Sequence, residues 1–156
     1  LPHSRKTGPP AMQTRLPDPA RQPEFYDGVV IKRGIAWVID FVIICLLVLP
    51  VVILTAFTAL LVLPALYFGV GFVYRVATIA GGSATLGMRV MAIEFRDIDG
   101  RRFDGVQALL HTVGFTVLQA SGVLQVISIL CMLLTERGQG LTDLLMGTTA
   151  LNRRAI

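Results

Sequence analysis

Residues 34–74, GIAWVIDFVIICLLVLPVVILTAFTALLVLPALYFGVGFVY, run for 41 positions with a single charged side chain, Asp40. A hydrocarbon core about 30 Å thick needs roughly 20 apolar residues for each helical crossing, so this stretch holds two. They fall at about 34–54 and 57–77, each roughly 31 Å long at about 1.5 Å per residue. The connection between them is short, which makes them antiparallel neighbours. Pro50 and Pro64 fall in their outer halves, where a proline frees one backbone carbonyl and kinks a helix.

A second uncharged stretch spans 105–135, 31 residues. One upright helix of that length would be about 45 Å long, too much for a single crossing. Ser121-Gly122 near its middle predicts a hairpin of two short helices; one long kinked span is the competing reading. The whole chain fits this pattern, with 54% hydrophobic and 15% charged residues, against roughly 45–50% and 25% in soluble domains. The fold class expected is an all-α membrane protein with two antiparallel transmembrane helices and a C-terminal apolar hairpin.

Net charge is +4, and its placement matters more than its size. Six of the 14 basic residues (Arg5, Lys6, Arg15, Arg21, Lys32, Arg33) precede the first span. Five more (Arg75, Arg89, Arg96, Arg101, Arg102) lie just before or within the polar segment after the second, and three (Arg137, Arg153, Arg154) lie in the tail. The turn between the first two spans has none, the asymmetry of a chain whose basic loops stay cytoplasmic. No basic face with interleaved aromatics suggests nucleic acid as a partner. The partners expected are the lipid bilayer and a protein partner or further copy within it. An N-terminus and tail on the cytoplasmic side of a bacterial inner membrane complete the expectation.

Residues 1–27 hold six of the eight prolines and read as a disordered Pro-rich cytoplasmic tail. Residues 28–152 form the membrane domain, and 153–156 a basic C-terminal tail. Between the second and third apolar stretches, Arg89–Arg96 alternates in part and Asp97-Ile-Asp-Gly supplies a turn, predicting a small cytoplasmic β-hairpin. Gly147–Asn152, rich in threonine, is a candidate further strand for it. That pairing places the C-terminus on the same side.

Cys45 and Cys131 are isolated in apolar stretches and read as small hydrophobes rather than disulfide partners or metal ligands. No nucleotide, zinc-protease or nucleophile-elbow motif occurs, so no catalytic residue, metal or cofactor is expected. His111 reads as a helix–helix hydrogen-bond donor, and Ala65 with Gly69 as a small-residue face toward the first span. Asp40 is costly inside a span, on the order of 2.5–3.5 kcal/mol by insertion scales, and needs a cation on another element. Arg75 and Arg89 are the candidate ion-pair partners, with Arg75 favoured because it lies at nearly matching depth on the antiparallel second span.

Lys32-Arg-Gly-Ile-Ala-Trp-Val-Ile-Asp40 resembles the opening of the RDD family of bacterial membrane proteins, named for one arginine and two aspartates. The loop motif Gly81-Gly-Ser-Ala-Thr-Leu-Gly-Met-Arg-Val, with Gly82, Thr85 and Gly87, is similar to the family's segment after its second span. The tail motif Leu141-Thr-Asp-Leu-Leu-Met-Gly-Thr-Thr, with Gly147 and Thr148, is similar to the family's closing segment. On this resemblance the charged trio is Arg33, Asp40 and Asp143. Met88, Thr142 and His111 stand where the family carries a lysine, a histidine and an arginine. The resemblance implies a multi-pass inner-membrane protein. Two functions are compatible with it: an accessory, assembly or scaffolding subunit of a larger membrane complex, or an oligomeric monovalent cation/proton antiporter. Small size and sparse intramembrane polarity favour the subunit.

Overall fold

The computed structural model describes residues 15–153. Helix α1 covers Val29–Leu54, entered through Gly28 in the left-handed region, φ +66°. It is followed by a tight turn in which Ala56 and Phe57 also take positive φ. A short 3-10 segment, Thr58–Val62, leads into α2, Leu63–Gly82. The second helix therefore starts and ends later than expected, and Pro64 sits in its first turn rather than kinking it. The physical reason is that proline lacks the N–H a first turn leaves unused anyway. Pro50 does lie inside α1.

Both helices are long and apolar enough to cross a membrane. Their packing differs from the expected Ala65/Gly69 face. A Cβ on Gly69 would meet nothing within 4 Å, whereas one on Gly71 would touch Ile44 at 3.3 Å. Gly71 is thus the close-approach position, and Ile44, Val48, Val52, Ala59 and Tyr74 form the apolar cluster around it.

The last apolar region is two helices, α4 (Gly105–Ser121) and α5 (Val123–Leu134), bent by 116° at Gly122. Asp104 starts α4 with a capping box, its carboxylate accepting from Gln107 N at 2.8 Å while Gln107 Oε1 accepts from Asp104 N at 3.1 Å. Between α2 and α4 lie the one-turn helix α3 (Leu86–Val90) and strand β1 (Ile93–Arg96). After α5 come α6 (Leu141–Met146) and β2 (Thr149–Asn152).

The sheet is the expected pairing with the threonine-rich tail segment rather than a hairpin of adjacent strands. Asp97–Gly100 does turn, Gly100 N donating to Asp97 O at 2.9 Å with φ +73° at Gly100. The strand that pairs with β1 is β2, antiparallel, with Ile93 opposite Asn152 and Arg96 opposite Thr149. Arg89 and Val90, expected at the start of the strand, instead end α3, which Thr85 caps by accepting from Met88 N at 3.2 Å.

Residues 15–27 are not the loose leader expected of the whole 1–27 segment. Arg15 N donates to Ile98 O at 3.1 Å, the Tyr26 hydroxyl to Pro17 O at 2.7 Å, and Asn152 Nδ2 to Glu24 O and Asp27 O at 2.9 and 2.8 Å. The rest of the expected tail, 1–14, lies outside the described residues, as do 154–156 of the C-terminal segment. The start of α1, the end of α2, α3, the sheet and the start of α4 meet around a core of Val29, Ala36, Ile79, Met88, Ile93, Phe95, Phe103, Ala108 and Ala150. They make one polar cap at one end of the apolar helices.

Candidate functional site

Asp143 is the centre of the cap and fully buried. It sits in the first turn of α6, where its Oδ2 accepts from Gly140 N at 3.1 Å, closing the helix start. Arg33, one turn into α1, brings Nη1 to the same oxygen at 2.6 Å and also donates to Gly138 O at 3.2 Å. The other oxygen takes Thr148 Oγ1 at 3.1 Å and faces His111 Nε2 at 3.0 Å. An ionised carboxylate only accepts, so Nε2 carries the proton in this pair. Burial alone would push the Asp143 carboxyl up, but the Arg33 guanidinium and the His111 ring outweigh it and hold it well below the ordinary range. Phe95 covers the constellation, 4.4 Å from the His111 ring and 5.5 Å from the Arg33 guanidinium, and stacks on Phe103 at 5.2 Å.

Asp40 is also buried, but at a separate place. Its Oδ1 accepts from the Tyr74 hydroxyl at 2.6 Å and from Gly87 N at 2.9 Å. Tyr74 in turn accepts from Leu86 N at 3.2 Å, so one carboxylate and one phenol cap the start of α3 and tie it to α1 and α2. Gly87 is required here, because a Cβ would lie 2.2 Å from Ala36 O and 2.9 Å from the Asp40 carboxylate.

The expected cation partners of Asp40 are both corrected. Arg89 turns back on α2, Nη2 donating to Thr78 O at 2.8 Å and lying against Gly82. It occupies the negative end of that helix. Arg75 follows Tyr74 by one position, about 100° around the helix, and points away to the Phe115 ring, 3.9 Å from its centroid. The trio is therefore split, with Arg33 and Asp143 joined and Asp40 apart. Gly147, φ +67°, ends α6 and lets Thr148 turn back to Asp143.

Glu94 was not singled out by sequence. It is fully buried on β1, with Arg96 Nε at 2.9 Å, Arg102 Nη2 at 3.1 Å and Arg153 Nε at 3.2 Å. The only signal for it was its place among arginines, because β1 is buried on both faces and no alternation marks the position. Lys32 adds a further tie, Nζ donating to Asn152 Oδ1 at 2.6 Å. Among the described residues no group of three or more His, Cys, Asp or Glu could hold a metal ion, and Cys45 and Cys131 are free thiols.

The Gly28 entry to α1, the α3 loop anchored on Asp40 and the Asp143–Gly147 turn fall in one continuous match, residues 28–147, to the sequence profile of the RDD family. The chain belongs to the RDD family. RDD proteins are membrane proteins, in keeping with the two spanning helices and the bent apolar pair. No curated protein and no solved structure matches the chain. His111 contributes an N–H to Asp143. Thr142 packs its methyl toward Gly114, where a Cβ would come within 2.8 Å.

Proposed function

We propose that this RDD protein is an accessory, assembly or scaffolding subunit of a larger complex in the bacterial inner membrane. Its N-terminus and tail lie on the cytoplasmic side. The observation that carries the reading is that the buried acids tie distant chain segments together. Asp143 accepts from four donors, Asp40 from two, and Glu94 is ringed by three guanidinium groups. Exchange of a proton for a metal ion requires a carboxylate that can release its partners and face water. Here each acid holds two or more chain segments together, and its loss would open the cap. The reading assigns no catalytic group and no cofactor, and charge placement supports the orientation.

Purification from native membranes in a mild detergent tests the proposal, with a partner at fixed stoichiometry as the expected result. The competing function, cation/proton antiport through Asp40, would be established instead by sodium- or potassium-dependent proton flux from pure protein in liposomes that is abolished by Asp40→Asn.

A further inference from the structure

Glu94 is fully buried on β1, with the guanidinium groups of Arg96, Arg102 and Arg153 drawn around its carboxylate. One acid among three bases leaves positive charge in excess. Arg96 is fully engaged, its Nε and Nη2 on Oε1 and its Nη1 donating to Gly100 O at 3.0 Å. Arg102 and Arg153 are not. Each brings one nitrogen to Oε2, at 3.1 and 3.2 Å, and neither approach is aligned as a hydrogen bond, so Oε2 is buried without one. Among the described residues their guanidinium groups make no hydrogen bond at all, although each carries five N–H donors. The side chains are 53% and 38% exposed, so those donors are open to solvent.

The chain has no further acid to match them. Asp97 accepts from Asp99 N, Arg101 N and Gln107 Nε2, and Asp104 caps α4. Residues 1–14 and 154–156 contain no aspartate or glutamate, and they add Arg5, Lys6 and Arg154. Both arginines are also held by their backbone surroundings. Arg153 N donates to Ala92 O at 2.7 Å, continuing the strand pairing, and the next residue after Arg102, Phe103, is buried with its N donating to Ser83 Oγ at 2.9 Å. The pair is therefore in place before any ligand arrives, which removes part of the ordering cost of binding.

Two guanidinium groups from distant segments that meet at one oxygen suit a tetrahedral anion. A phosphate group presents oxygens to both forks at once and offsets the excess charge, whereas a planar carboxylate matches one fork. We propose that Arg102 and Arg153 bind a phosphate group, carried by an anionic phospholipid headgroup or by a soluble phosphate, with Glu94 and Arg96 as the base that holds the two side chains together. The anion sits on the outer side, away from the Glu94 carboxylate. This site is separate from the Asp143 and Asp40 anchors and does not depend on the subunit reading.

The test uses the full chain in a neutral detergent and reads the thermal midpoint at constant ionic strength, since a ligand of the folded state raises it. In one arm the micelles contain phosphatidylglycerol, and the rise is counted over that with zwitterionic phosphatidylcholine. In the other, inorganic phosphate replaces chloride. The expected result is a rise in at least one arm, with the affinity lowered about tenfold by Arg102→Gln or Arg153→Gln. Arg101→Gln, at the exposed neighbouring position, should keep the wild-type response. A rise with phosphatidylglycerol alone assigns the site to a lipid headgroup, one with inorganic phosphate alone to a soluble ligand, and one in both arms to the phosphate group itself. No rise in either arm would overturn the proposal. So would an equal rise in Arg102→Gln and Arg153→Gln, as exclusion of phosphate from any protein surface gives, or an equal loss in Arg101→Gln, the mark of a diffuse basic surface. Should a glutamine variant fail to fold, Arg102→Lys and Arg153→Lys keep the charge beside Glu94 without the planar fork. An undiminished rise in those lysine proteins would count equally against the site.

Discussion

Asp143 shows what one buried carboxylate does in this chain. Removing one member of a buried pair leaves the other charge stranded, a loss of about 3–5 kcal/mol. Asp143→Asn should therefore lower the thermal midpoint in detergent sharply, and Arg33→Met combined with it should recover part of the loss. The pH dependence has a definite sign. The folded carboxyl lies below its ordinary value of 3.8, so its contribution is complete above about pH 4 and declines as pH falls through the folded value. Melting curves down to pH 3 should show the wild type losing stability while the Asn variant, already lower, loses less. At Asp40 the corresponding change is Tyr74→Phe, which strips one donor from the carboxylate and an acceptor from Leu86 N. It should cost about 1–3 kcal/mol, measured by denaturant or thermal unfolding, whereas loss of the Arg75 charge should leave the α3 anchor intact. The cost of a charge inside a span singled out Asp40, and the family resemblance singled out Arg33 and Asp143, but neither named the partners. Arg33 meets Asp143 across 110 positions, and Tyr74 rather than Arg75 meets Asp40 because adjacent helical residues face different neighbours. A charge-matching argument had no reason to choose an uncharged phenol.

Among the elements, α3 shows why local pattern misled. Arg89–Arg96 alternates in part, and alternation predicts a strand, yet its first residues are coiled into one helical turn. Asp40 holds Gly87 N and Thr85 caps Met88 N, and those contacts come from outside the window that alternation reads. The spans were legible because composition alone decides them, and the break at Gly122 because Ser-Gly interrupts a stretch too long for one crossing. The start of α2 was not, since Thr58–Val62 is as apolar as the helix it precedes and differs only in winding. Gly87 is the most demanding position of the α3 contact. Gly87→Ala places a methyl group 2.2 Å from the Ala36 carbonyl oxygen, a backbone atom that cannot step aside. Overpacking of this kind costs about 1–3 kcal/mol, occasionally more. The variant should show lower yield and a lower midpoint, with α3 released to protease before α1 and α2 unfold. Gly69→Ala, with open space at its Cβ position, serves as the matched control and should behave as wild type.

At the scale of the molecule, one end carries nearly all the polar structure. Lys32 is tied to Asn152, Arg33 to Asp143, Arg15 to Ile98 and Arg153 to Glu94. These contacts bring the residues before α1, the segment between α2 and α4, and the tail after α5 to the same face. The α4–α5 pair must therefore descend and return, since α6 begins where Asp143 reaches both α1 and α4. The opposite end, the turn through Ala56 and Phe57, holds no charged residue between Asp40 and Arg75. On the proposed orientation this charge bias puts the basic end in the cytoplasm. Single cysteines at Arg21, Asp99 and Phe57, in a background with Cys45 and Cys131 changed to alanine, convert the geometry into a labelling experiment. An impermeant maleimide added to intact spheroplasts should modify position 57 and spare 21 and 99, and inverted vesicles should give the reverse. The comparison of 21 with 99 tests the fold itself, because both flank the cap and must share a compartment whichever way the protein inserts. Opposite labelling of those two would break the cap as an arrangement, whereas labelling of both from outside would keep the cap and invert the membrane orientation.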